Sequence, residues 1–225
     1  MCGRYTITIA LEELLARYEA ENALAAMYEP RYNVAPGQLV PAVISGGERN
    51  RLGMLRWGLV PPWADDPKVG YRMINARAET LQDRPAYREA YRGRRCLIPA
   101  DGFYEWQKLD NGKKRPMRIT LRGGGLFSFA GLYETWTAPD GSKLHTCAVL
   151  TTEPNRLMAA IHDRMPVILK PEDEALWLDR RVREGSKLEK LLSPYPAEEM
   201  EAYEVGQAVG NAANDSPSCI ERIAR

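Results

Sequence analysis

Residues 103–152, FYEWQKLDNGKKRPMRITLRGGGLFSFAGLYETWTAPDGSKLHTCAVLTT, decide the fold. Their apolar runs are short. They are cut at close intervals by Asp110-Asn111-Gly112, Gly123-Gly124-Gly125 and Pro139-Asp140-Gly141. Asn-Gly and Asp-Gly supply the positive φ of tight hairpins, so these triplets predict turns between antiparallel strands. The spacing predicts strands over 103–109, 116–121, 126–136 and 143–152.

The same pattern extends upstream. Residues 39–45 and 52–59 read as strands around Gly46-Gly47, and 96–99 as another. Residues 31–37 read as a turn-rich loop, and 165–169 as a strand. Helical signals are few. Leu11, Leu14, Leu15 and Tyr18 fall at i, i+3, i+4 and i+7, so 10–20 predicts an amphipathic helix. Pro85 suits a first helical position for 86–91. Residues 154–162, 171–179 and 186–192 predict short helices, the second with acids in its first turn. The expected class is α+β, with a β-rich, mostly antiparallel, barrel-like core and a few peripheral helices. Without linker or repeat, residues 1–225 predict a single domain.

The 225 residues can bury a core without staples. No segment approaches the ~20 apolar residues of a membrane span, and no signal-peptide pattern opens the chain, so a cytoplasmic protein is expected. Cys2, Cys96, Cys147 and Cys219 form no C-x-x-C pair and are joined by only two histidines, so no metal is expected. Cys96 and Cys147 lie in apolar runs and read as small core residues. The net charge of +1 does not by itself announce a nucleic-acid binder. Arg72, Arg77, Arg84, Arg88, Arg92, Arg94 and Arg95 nevertheless cluster. A solvated face is the ordinary reading, and an anion-binding face the alternative.

One terminus carries special chemistry. Removal of Met1 would leave Cys2 with an α-amine, of pKa about 7.7–8.0, beside a thiol that needs only a modest shift to ionise. Such an aminothiol condenses with an aldehyde to an imine and closes to a thiazolidine. Glu105, between aromatics in Phe103-Tyr104-Glu105-Trp106, is a general acid/base if buried, though its window alone favours exposure. His162, Asn75, Arg77 and Trp63 taken singly read as a surface histidine, a turn former, a solvated arginine and a packing aromatic.

Together these segments resemble a known family. Met1-Cys2-Gly3-Arg4, Tyr32-Asn33-Val34-Ala35-Pro36, Arg56-Trp57-Gly58-Leu59-Val60-Pro61, Asn75-Ala76-Arg77-Ala78-Glu79-Thr80, CLIPADGFYEW over 96–106, Phe129-Ala130-Gly131-Leu132-Tyr133-Glu134 and His162-Asp163-Arg164-Met165-Pro166 occur in the order of the SOS response-associated peptidase (SRAP) family. The resemblance runs from residue 2 to about 217. It implies a covalent sensor of abasic sites in single-stranded DNA; a monomer and no cofactor are expected. By that resemblance Cys2 forms the crosslink, Asn75 orients it, Glu105 is the acid/base, and His162 assists sugar opening. Arg4, Arg77 and Arg84 look like phosphate clamps. Asn33 and Pro36 lie on a DNA-facing loop, Trp63 is a stacking candidate, and Thr151 matches a position beside the N-terminus. The chain departs from the family at Ala64, where some members have a second aromatic. It departs also at Arg115-Pro116-Met117-Arg118, read as a packing change. An N-terminal-nucleophile hydrolase and a non-covalent single-strand binder are the alternatives.

Overall fold

The computed structural model describes residues 2–23, 28–183 and 185–223. Met1, on which the processing expectation rests, lies outside the described residues. The chain opens with β1 (Tyr5–Ile7), α1 (Leu11–Tyr18), β2 (Ala20–Asn22) and β3 (Arg31–Val34). A hairpin of β4 (Leu39–Ser45) and β5 (Asn50–Trp57) follows, then β6 (Asn75–Arg77) and α2 (Pro85–Gly93). The predicted strand series appears as β7 (Arg95–Ala100), β8 (Gly102–Lys108), β9 (Lys114–Leu121), β10 (Phe127–Thr137) and β11 (Lys143–Thr152). Gly112 and Gly141 hold φ of 78° and 84°, which is why their turns need glycine. The remainder comprises α3 (Arg156–Ala159), β12 (Met165–Pro166), β13 (Ile168–Leu169), α4 (Pro171–Leu178), α5 (Gly185–Glu189) and β14 (Met200–Glu204).

Strands β5, β4, β7, β10 and β11 pair in turn, antiparallel at each step. A parallel pairing of β11 with β5, Thr146 opposite Arg56, closes this ring into a barrel. A second sheet, ordered β14-β9-β8-β1-β3, is antiparallel throughout. The two meet through aromatic rings. Tyr5 packs edge-on against Trp57 at 5.4 Å and Phe129 at 5.8 Å, and Phe103 meets Phe129 at 6.0 Å. All four are buried, each contributing roughly 2–3 kcal/mol by apolar transfer. Cys96 and Cys147 are fully buried, as expected of core thiols.

Several local readings change. Residues 31–34 form an edge strand on β1 rather than a loop. Residues 165–169 are two short strands, on β11 and β10, rather than one. The 154–162 helix shrinks to α3, capped by the Asn155 side chain on the Met158 N–H at 2.9 Å. Arg94 and Arg95 leave the arginine cluster: Arg94 pairs with buried Glu134, and Arg95 is itself buried. Arg118 is more than a packing change. Its guanidinium is buried and binds Asp101 and the Tyr203 hydroxyl, with Gly102 beside it because a Cβ there would lie 2.8 Å away. No helix among the described residues is long and apolar enough to cross a membrane.

Candidate active site

Sheet register delivers the chain start to Glu105. In β1–β8, Tyr5 faces Phe103 and Thr6 faces Gly102, and the Tyr104 N–H donates to the Arg4 carbonyl at 3.0 Å. Antiparallel pairing continued in that register sets Gly3 opposite Glu105. Cys2 is fully buried there. Strand β6 brings the second group. It lies parallel on β11, with Asn75 beside Val149 and Arg77 beside Thr151. The Asn75 Nδ2 donates to the Cys2 carbonyl at 2.8 Å, and its buried Oδ1 has no hydrogen-bond partner among the described residues.

Glu105 is 3% exposed, against the exposure its sequence window favours. Burial pushes its carboxyl above the usual carboxylate range, fitting it to carry a proton. The His162 Nε2 lies 3.9 Å from its Oε2. The His162 Nδ1 meets both the Arg164 backbone N–H, at 3.0 Å, and the Asp163 carboxylate, at 2.8 Å. These contacts ask for opposite protonation of Nδ1. The backbone N–H cannot change its role, whereas Asp163 is 88% exposed and can turn to water. With Nδ1 engaged by that N–H, Nε2 is the ring nitrogen turned toward Glu105. The Arg164 side chain is fixed in turn by a two-pronged bond to Glu79, at 2.7 and 2.9 Å, and by the Thr151 carbonyl at 2.6 Å. Those bonds hold the Glu79 carboxyl below its usual range.

The Cys2 thiol departs from expectation. Burial, then the nearby Glu105 charge, pushes its pKa up, so the sulfur is held as S–H. A cleft of about 530 Å³ opens at Asn75, lined also by Trp63, Met73, Arg77, Arg84 and Tyr87. Trp63 is 59% exposed, and both arginines are exposed. The Tyr87 hydroxyl donates to the Asn75 carbonyl at 3.2 Å. Tyr87 and the Glu79–Arg164 pair escape a sequence reading because their partners are distant in sequence; only the shared family segments hint at the latter. A larger cavity, about 720 Å³, lies between 45–50 and 175–181 and includes none of these residues.

Cys2, Glu105, His162 and Thr151 are not among the residues that line the Asn75 cleft, and neither are Arg4, Asn33 and Pro36. The Arg4 guanidinium binds the Asn33 Oδ1 and the carbonyls of Val209 and Gly210. Buried Asn33 donates to the carbonyls of Val209, Asn211 and Asn214. Both thus fasten the C-terminal segment over the start of the chain. Pro36 precedes Gly37, whose turn lies against the Tyr71 ring. Thr151 is fully buried on β11, beside Arg164.

Residues 1–212 match the family described as SOS response associated peptidase (SRAP). The abasic site processing protein YoqW of Bacillus subtilis is 50% identical over 222 residues, covering 98% of this chain and 99% of that protein. The abasic site processing protein HMCES of Xenopus tropicalis is 32% identical, covering 99% and 78% respectively. A crystal structure of a Bacteroides thetaiotaomicron protein superposes with a TM-score of 0.91 at 27% identity, covering 99% of this chain and all of that one. The order of the sequence segments, the barrel and the match over nearly the full length agree, and the chain belongs to the SRAP family.

Proposed function

We propose that this protein processes abasic sites in single-stranded DNA by covalent capture through Cys2, once removal of Met1 has freed its α-amine. The observation that supports this reading is the Asn75–Cys2 bond: Asn75, which lines an arginine-bearing cleft, holds the backbone of Cys2, and Glu105, 3.9 Å from His162, is close enough to Cys2 for its charge to act on the thiol. The relatives' names point the same way.

The chemistry follows from the protonation states. An abasic sugar exchanges between a closed ring and an open aldehyde. Protonated Glu105 donates to the departing ring oxygen, and His162 serves the proton traffic beside it. The α-amine adds to the aldehyde carbon, and loss of one water gives the imine. The Cys2 sulfur then bonds that carbon as the C=N double bond becomes single, its proton passing by way of the Glu105 carboxylate to the nitrogen, and the thiazolidine closes. Net, aldehyde and aminothiol become thiazolidine and one water. Arg77 and Arg84 bind flanking phosphates, and exposed Trp63 stacks on a base.

The test is an oligonucleotide with one abasic site, incubated with the protein and run on a denaturing gel. A retarded adduct is expected for the wild type and none for Cys2→Ala; an equal adduct in Cys2→Ala would sink the proposal. Turnover of added peptide without any adduct would favour the N-terminal-nucleophile hydrolase instead.

A further inference from the structure

We infer that α2 carries a phosphate track, Arg84-Arg88-Arg92, along which the DNA strand runs on one side of the lesion. The inference rests on the capture reading above for the position of the lesion.

Arg88 and Arg92, four apart, share one stripe of the helix, and Arg84 is the extended residue that caps its N-terminus. Arg84 is exposed, and the side chains of Arg88 and Arg92 are 47% and 57% exposed. Ala90 and Tyr91 are the buried residues of α2, and Arg88 and Arg92 lie beside them turned to solvent. Arg84 also lines the cleft with Asn75 and Arg77, so positive charge continues from the cleft onto the helix. Of the remaining clustered arginines, Arg94 and Arg95 are spent on internal partners.

The spacing suits a nucleic-acid backbone. Successive arginines rise by about 6 Å along the helix. Phosphates of a stacked strand advance about 3.4 Å each along its axis and, being on the outside of the strand, lie farther apart than that, so neighbouring phosphates suit neighbouring arginines. From Arg84 to Arg92 the track spans about 12 Å, or three to four nucleotides. One acid interrupts it. Glu89 binds Arg92 at 2.9 Å and lies 3.8 Å from Arg88. Such exposed pairs are weak, and a phosphate displaces them. Glu89 therefore acts as a competitor that lowers DNA affinity.

Binding of undamaged single-stranded oligonucleotides, followed by fluorescence anisotropy across salt concentrations, tests the track without using the Cys2 chemistry. In the double variant Arg88→Ser/Arg92→Ser, the slope of log affinity against log salt is expected to fall by about 1.4, about 0.7 per arginine. Glu89→Gln is expected to tighten binding by about two- to fivefold, a gain that misfolding cannot mimic. Four nucleotides added on one side of a short core oligonucleotide should strengthen wild-type binding but not that of the double variant. A wild-type salt slope in the double variant, no gain in Glu89→Gln, or equal responses to extension on both sides would overturn the track. If those results accompany a normal adduct on abasic DNA, only the track fails; loss of the adduct in the wild type overturns the capture reading itself.

Discussion

Glu105→Gln is expected to slow adduct formation by roughly 10²–10⁴-fold, the usual contribution of a positioned general acid/base. The glutamine keeps the shape of the side chain but can neither give up nor take a proton. The same substitution has a stability signature whose sign follows from burial. Glu105 titrates in the folded protein above its unfolded value of about 4.3. The folded state thus holds the proton more tightly. The wild type carries no penalty below the unfolded value, and stability is lost as pH rises through the folded one. Glutamine stays neutral throughout. Denaturant midpoints at pH 4, 6 and 8 should therefore show Glu105→Gln gaining on the wild type as pH rises. A constant or shrinking gap would contradict a buried, proton-holding carboxyl. Activity lost while stability is gained is the expected mark of a functional group held at a cost to the fold.

Arg95→Met is expected to give the largest loss of stability, about 3–5 kcal/mol, with a Tm lower by roughly 10 °C or more. Arg95 is 3% exposed. Its guanidinium donates to the carbonyls of Tyr91, Trp177, Asp179 and Val182 at 2.6–3.0 Å, and lies 5.7 Å from the Trp177 ring centre. It thereby closes the C-terminal ends of α2 and α4, where a cation is favoured. Methionine fills the volume but leaves these buried carbonyls unpaired. Lysine restores the charge without the fork, so Arg95→Lys should recover little. Thermal melts of the two variants beside Arg92→Ser, an exposed member of the same cluster, check this. A melt for Arg95→Met within a degree or two of Arg92→Ser would refute the structural role.

The contrast between Arg92 and Arg95 shows where sequence reading stops. Turn chemistry acts locally, so Asn111-Gly112 and Asp140-Gly141 set the strand series, and β4 and β11 fall on the residues expected. Barrel closure needs residues some ninety positions apart: Thr146 finds Arg56 in a parallel seam that no turn announces. Strands β2 and β14, three and five residues long, are set by their sheet neighbours rather than by their own pattern. Burial of charge is equally non-local. Glu105 looks exposed among aromatics until β1 is laid along β8. Glu174, one of the first-turn acids of α4, is buried against Arg17 and the Ser128 hydroxyl. The family segments brought Cys2, Asn75, Glu105 and His162 to notice. Register then explains how they meet. The internal bonds of Arg4 and Asn33 could not be inferred, because their partners lie in a C-terminal segment with no strong periodic signal.

The central claim is that the α-amine and thiol of Cys2 together capture the aldehyde. Intact-mass measurement after denaturation tests it most directly, on protein incubated with an abasic oligonucleotide and then treated with borohydride. The expected mass is the protein lacking Met1, plus the oligonucleotide, minus one water, with no hydrogen gained on reduction because the imine has already closed. Peptide mapping should place the linkage at Cys2, and a preparation with its α-amine blocked should form none. An adduct that maps to a lysine, or that forms equally with the amine blocked, would contradict the account.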